Sequence, residues 1–170
     1  MAYSVVEVLP VSDLQLSPHF GLIEMTRTQQ REFISENFRS AKANPRVLSA
    51  LNALTREILE PIRARFNAPM IIHSGYRMPA LNAAVGGQPG SQHQLGEAAD
   101  FHIHKTDLRK IFDWIRLESG LSFGQVIIEG RPPAWVHVSL GEPFRELKKC
   151  RQALIAVPNG SGGMRYTAVS

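Results

Sequence analysis

Four side chains able to hold a metal lie close together in the segment SQHQLGEAADFHIH: His93, Asp100, His102 and His104. Imidazole nitrogens and a carboxylate oxygen are the donors zinc takes in catalytic sites, where three protein ligands leave a fourth position for water. A fifth candidate, His137, stands in PAWVHVSL. Alternation there turns Val136, Val138 and Leu140 to one strand face and Trp135, His137 and Ser139 to the other, so His137 is presented from a sheet. A single strand histidine is more often a satisfied structural residue than a ligand. The His/Asp cluster elsewhere in the chain shifts that balance toward a ligand.

Spacing alone does not choose the set. Asp100, His102 and His104 share one face of a strand, about 6.5–7 Å apart from each to the next. His102 and His104 are therefore open as ligands, as partners of a ligand or as surface residues. Asp100 alternates with core residues and needs a partner, because an unpaired buried charge is costly. The lone cysteine, Cys150, sits among charges in KKCRQ, away from every histidine motif. It forms no intrachain disulfide and is not read as a nucleophile.

The elements that must position these residues follow from pattern. Residues 1–26 read as an extended or irregular lead-in. Thr28 suits the cap of a short helix to about Asn37, and AKANP breaks it. Apolar residues at Val47, Leu48, Leu51, Leu54, Ile58, Leu59 and Ile62 mark one amphipathic helix to about Phe66. Pro45 suits its first turn, and Pro61 is expected to kink it. Strands are expected at Met70–His73, Ala98–His104, Gln125–Ile128, Trp135–Leu140 and Ala153–Val157. Short helical turns are expected over Pro79–Val85, and a helix from Thr106 or Asp107 to about Glu118 with Gly120 as its stop. GGQPGSQ is a loop. Helices followed by mixed strands and helices predict an α+β fold with a central, mostly antiparallel sheet. One domain is expected over 1–157, with a helical lead-in (1–66), a metal-binding core (67–157) and a flexible Gly/Ser-rich tail (158–170).

The 170 residues suit one domain with a real core. A hydrophobic fraction of 44% and a charged fraction of 20% exclude a disordered chain. No apolar run is long enough for a membrane span, and the N-terminus has no pattern of a secretory signal. The net charge of +4 favours anionic partners. Nucleic acid is not favoured, because the basic residues are scattered apart from the cluster Arg145–Arg151.

Three motifs in order, SGYR (Ser74–Arg77), SQHQLGEAAD (Ser91–Asp100) and WVHVS (Trp135–Ser139), resemble the zinc D-Ala-D-Ala carboxypeptidase family. That family includes L-alanyl-D-glutamate endopeptidases and shares its core fold with hedgehog signalling domains. SPHFGLIEMTRT, LSALNALTREILEPIR and PALNAAVGG resemble its small phage and prophage endolysin branch. The likeness runs over about residues 15–140.

The resemblance implies one zinc ion held by His93, Asp100 and His137. It implies Arg77 as a group that stabilises an oxyanion or holds a substrate carboxylate, and Ser91, Tyr76 and Trp135 near the substrate. In several branches a glutamate stands three residues before the last histidine ligand. Here that position is Ala134, and Glu129 across the expected hairpin is the preferred general base, ahead of Glu97. The implied activity is hydrolysis of peptide bonds in peptidoglycan stem peptides, by a monomer made in the cytoplasm and acting on the wall after release or as a virion part. The alternative is a zinc-stabilised binding module without catalysis.

Overall fold

A computed structural model describes residues 13–144, 146, 149–161 and 163–169. The first twelve residues of the expected lead-in, and Arg145, Leu147 and Lys148 of the basic cluster, lie outside it.

Asn44 accepts hydrogen bonds from the backbone N–H groups of Arg46 (3.1 Å) and Val47 (3.3 Å), with Pro45 at the first helical position. That cap starts a helical rod of three pieces: α3 (Pro45–Ala53), a π-helical turn (Leu54–Leu59) and α4 (Glu60–Phe66). The interruption expected at Pro61 thus takes the form of a π-turn just before it. Proline has no N–H to donate, and the wider turn shifts the hydrogen-bond register ahead of that gap. Thr55 Oγ1 donates to the Leu51 carbonyl at 2.9 Å within the shifted turn.

Ahead of the rod come α1 (Leu22–Met25), a 3-10 turn (Arg31–Phe33) and α2 (Ile34–Lys42). This helix ends beyond Asn37, where the sequence suggested a stop. Phe38 and Ala41, both buried, continue its apolar face to the break at Ala43 and Asn44. After the rod come β1 (Met70–Ser74), α5 (Pro79–Ala84), a 3-10 turn (Gln92–Leu95) and β2 (Ala98–Ile103). The chain continues through α6 (Leu108–Leu117), β3 (Phe123–Glu129), β4 (Trp135–Leu140), β5 (Gln152–Pro158) and β6 (Met164–Ala168).

The six strands form one sheet in the order β1-β2-β4-β3-β5-β6. All neighbours are antiparallel except β3 and β5. The α+β expectation holds. One part of the reading does not: β6 lies inside the segment read as a flexible tail. MRYTA pairs with β5 from Leu154–Ala168 to Pro158–Met164. Its Tyr166 and Thr167 follow a glycine-rich loop closed by the Asn159 N–H on the Gly163 carbonyl at 3.0 Å, and those glycines masked the strand signal.

The sheet has two unlike faces. Ile72, Phe101, Val126, Ile128, Val136, Val138 and Leu140 join Leu51, Leu54, Ile58, Ile111, Phe112 and Ile115 in one apolar core. Each fully buried side chain of this size contributes about 1.5–3 kcal/mol. The other face carries Asp100, Trp135, His137, Ser139 and Glu129. Strand periodicity of two enforces this separation, since a one-residue slip would exchange the faces.

Two contacts tie the lead-in to the site-bearing strands. Asn37, fully buried, donates from Nδ2 to the carbonyls of Thr26 (2.8 Å) and Tyr76 (2.9 Å) and accepts from the Met78 N–H (2.8 Å). Gly75 packs against the chain at Met25, where an added Cβ would stand 2.3 Å from the carbonyl oxygen. We expect Gly75→Ala to force the SGYR segment away from α1 at a cost of about 1–3 kcal/mol. Urea unfolding checks this: the midpoint should fall with the slope unchanged. An unaltered midpoint would mean that the contact yields freely.

Candidate metal centre and its cleft

Three groups converge at the centre of the polar face. Asp100 in β2 and His137 in β4 are directly paired across the strands. His93 enters from the 3-10 turn that precedes β2. The ligand atoms of all three lie within 4.8 Å of one another, and all three residues are buried.

Their hydrogen bonds assign the donors. His93 Nδ1 stands 2.7 Å from the Gly75 carbonyl. A carbonyl only accepts, so Nδ1 carries the proton and Nε2 presents a lone pair inward. That Nε2 is 3.3 Å from Asp100 Oδ2 and 3.3 Å from His137 Nδ1. His137 Nδ1 is also 2.8 Å from Asp100 Oδ1, and its outer nitrogen, Nε2, is 3.4 Å from Gln92 Oε1. Gln92 is aimed in turn, donating from Nε2 to Ser139 Oγ at 2.8 Å. Ser139 also accepts from the Gln125 N–H at 2.9 Å.

Acceptor atoms facing one another at these distances repel unless a proton or cation sits among them. Ligands about 2.0–2.1 Å from a tetrahedral zinc ion lie about 3.3 Å from each other. Both contacts of His93 Nε2 have that length. The donor set and these two separations fit zinc, while the 2.8 Å contact of His137 Nδ1 with Asp100 Oδ1 has hydrogen-bond length; each histidine is held by an outer partner, as is usual for metal-binding imidazoles. Burial alone would raise the Asp100 carboxyl. The charges and hydrogen bonds of His93 and His137 overcome it and hold the group well below the usual carboxylate range.

Beside the cluster opens a cleft of about 340 Å³ lined by Arg27, His73, Ser74, Arg77, Asp100 and Trp135, among others. Arg77 Nη1 lies 4.0 Å from Asp100 Oδ2. One buried donor of this wall, Arg77 Nε, makes no hydrogen bond among the described residues.

Glu129 closes β3 opposite Trp135. Two residues earlier Ile127 pairs with His137, so the Glu129 carboxylate shares the face of the cluster and sits diagonally from that histidine. Burial is the main cause of its raised pKa, and the Asp100 charge adds to it. His137, the Trp135 N–H and Arg77 act the other way. Each of these influences requires that Glu129 border the site. The hairpin closes through the Ala134 N–H on the Glu129 carbonyl at 2.7 Å.

Other expected residues fall differently. Tyr76 is buried, with its hydroxyl 2.9 Å from Ser40 Oγ. Its side chain packs in the core instead of facing substrate, because β1 ends before it and the chain turns inward at Gly75. Ser91 caps the 92–95 turn through the His93 N–H at 3.4 Å, which positions His93. His102 Nδ1 is 2.7 Å from His73 Nε2, so it pairs with β1 instead of joining the cluster. His104 lies past the end of β2 and is exposed. Glu97, half-buried, precedes β2.

Gln92 escaped the sequence reading. Its place inside SQH, directly before a candidate ligand, was the available signal, but only the fold brings it to His137. Gln92→Ala should weaken divalent-metal affinity about 10–100-fold, as measured by competition with a chelating dye. Wild-type affinity in the variant would show that His137 needs no outer partner.

The geometry can be set beside known proteins. No curated protein matches the chain. A profile described as Peptidase M15 matches residues 18–139, which takes in α1, the helical rod, the 3-10 turn that carries His93 and the strand segments that carry Asp100, Glu129 and His137. The match covers most of the chain, and the chain belongs to the peptidase M15 family.

Proposed function

We propose that the protein is a zinc-dependent peptidase that hydrolyses peptide bonds in the stem peptides of bacterial peptidoglycan. The observation that carries this reading is the convergence of His93 Nε2, Asp100 and His137 Nδ1 beside an open cleft. Family membership adds the reaction class. His93, Asp100 and His137 would hold the ion. Zinc bound there supplies Lewis acidity, polarising a carbonyl and bringing the pKa of water toward about 7.

The chain's own groups do the rest. Glu129 serves as general base, its carboxylate taking a proton from the attacking water and passing it to the leaving amine. Its raised pKa brings it nearer the working pH of such a group. The Arg77 guanidinium, at the cleft wall, holds the oxyanion as it forms or anchors a substrate carboxylate. Trp135, in the cleft wall, offers its indole ring to the peptide. His93 is kept in one tautomer by Gly75, and His137 is oriented by Gln92.

The substrate bond is either the terminal D-Ala-D-Ala linkage or the L-Ala-D-Glu linkage, and the biological setting is lysis of the wall by a phage-type enzyme. A basic chain suits an anionic wall. The alternative of a binding module without catalysis drew on Ala134. Glu129 supplies a carboxylate from the neighbouring strand, which favours the enzyme.

Purified sacculi incubated with zinc-loaded protein should release peptide fragments that vanish with chelator, and fragment masses would name the bond. Bound zinc without fragments from several wall types would return the binding module. Glu129→Gln should lower kcat about 10²–10⁴-fold while keeping one zinc per chain. In the parent enzyme the acid limb of kcat should lie above the ordinary glutamate value of 4.5, since activity needs the carboxylate and its pKa is raised. The residual activity of the variant should lack that limb. An acid limb that survives the substitution would assign the base elsewhere.

A further inference from the structure

The polar face of the sheet does not end at Glu129. Registers across three strand pairs place Trp135 opposite Glu129, Glu129 beside Ala156 and Ala156 opposite Tyr166. Directly paired residues point to the same face, so these four side chains form one row across β4, β3, β5 and β6. The parallel row two residues away runs from Ala168 through Leu154 and Ile127 to His137 and Asp100. Tyr166 is thus on the face of the candidate centre and level with its acid–base candidate.

Neighbouring strands are about 4.8 Å apart, which puts the Tyr166 backbone about 10 Å from that of Glu129. The residue between them is alanine, so no bulky side chain separates the phenol from the carboxylate. Ala156 is nonetheless fully buried, so larger neighbours cover it. Burial raises the Tyr166 phenol, and the charges of Glu129 and then Asp100 raise it further. Both carboxylates of the site therefore reach this ring. Tyr166 is about half exposed, at 49%. It is an amphipathic side chain on a strand beyond the 18–139 segment matched by the family.

We propose that Tyr166 is a substrate-contacting residue of this site, standing beyond the cleft on the same face of the sheet, past Glu129 from Arg77, and donating a hydrogen bond from its hydroxyl to the bound peptide. Arg77 follows β1 at one edge of the sheet and Tyr166 stands on β6 at the other. A peptide held by both lies across the strands, with its scissile bond over the His93–Asp100–His137 cluster and Glu129. The β5–β6 hairpin then acts as a specificity element added to the family core. The inference rests on the proposed peptidase reading for its substrate.

The test compares zinc-loaded wild type with Tyr166→Phe, Tyr166→Ala and Thr167→Ala. The probe is a soluble stem pentapeptide ending in D-Ala-D-Ala, which contains both candidate bonds. Cleavage is followed by chromatography, binding by calorimetry and folding by thermal melting. Loss of one neutral hydrogen bond predicts a KM for Tyr166→Phe raised about three- to tenfold with kcat within about twofold. Tyr166→Ala, which also loses the ring, should be weaker still. Thr167→Ala, on the opposite face of β6, should match wild type. Unchanged KM and affinity in Tyr166→Phe would overturn the inference while leaving the peptidase intact, as would an equal loss in Thr167→Ala. Wild type that binds the peptide without cutting it would defeat the peptidase reading alone, and the calorimetric ratio would still decide Tyr166. Wild type that neither cuts nor binds would defeat both.

Discussion

A carboxylate buried between two imidazoles is the constraint on which this structure turns. Asp100 gives up nearly all its water in the sheet, a position that would be untenable for an isolated charge. It is made tenable by His137 on the next strand and His93 from the preceding turn, both within 3.3 Å or less. The arrangement is stable only if positive charge resides among the three groups, whether protons or a metal ion. The fold has already met the cost of gathering three groups able to hold a cation.

The surrounding architecture can be understood as what keeps those atoms in place. His93 is held at both ends: its ring by the Gly75 carbonyl, and its backbone carbonyl by the Arg77 N–H at 3.0 Å. The SGYR segment therefore sets the position of a ligand and presents the cleft arginine at once. That segment is fixed in turn by α1 and α2, through the close approach of Gly75 to Met25 and through the three hydrogen bonds of Asn37. Helices far from the cluster in sequence thus decide where His93 Nε2 points. On the other side, Ser139 and Gln92 orient His137 from within the same sheet. Rigid elements carry every member of the cluster, which suits a site whose ligand distances tolerate little error.

The two faces of the sheet divide the labour. Alternation along β2, β3 and β4 sends valine, isoleucine and phenylalanine into the core and sends Asp100, Glu129 and His137 outward. The helical rod covers only the apolar face. On the polar face a cleft opens beside Asp100 and Trp135, between them and Arg77. Glu129 reaches the neighbourhood of His137 from the facing strand, since side chains on adjacent strands come as close as those two apart on one strand.

Local pattern was enough to read most elements and the chemistry they carry. Trp135–Leu140 was legible to the residue because strict alternation runs its full length, and the Pro45 helix because cap, proline and apolar spacing agree. The identity of His93, Asp100 and His137 as a set came from motif likeness, since spacing left His102 and His104 equally open. Only the tertiary structure separated them: β1 pairs with β2 and gives His102 a partner in His73, while β4 gives Asp100 a partner in His137. The placement of Tyr76 and Tyr166 was hidden for the same reason. The first lies in a motif yet turns into the core, and the second lies among glycines yet joins the polar face through two strand registers. Periodicity states which residues share a face of one strand. It carries no information about which strand lies next to it, and that adjacency decides which side chains meet.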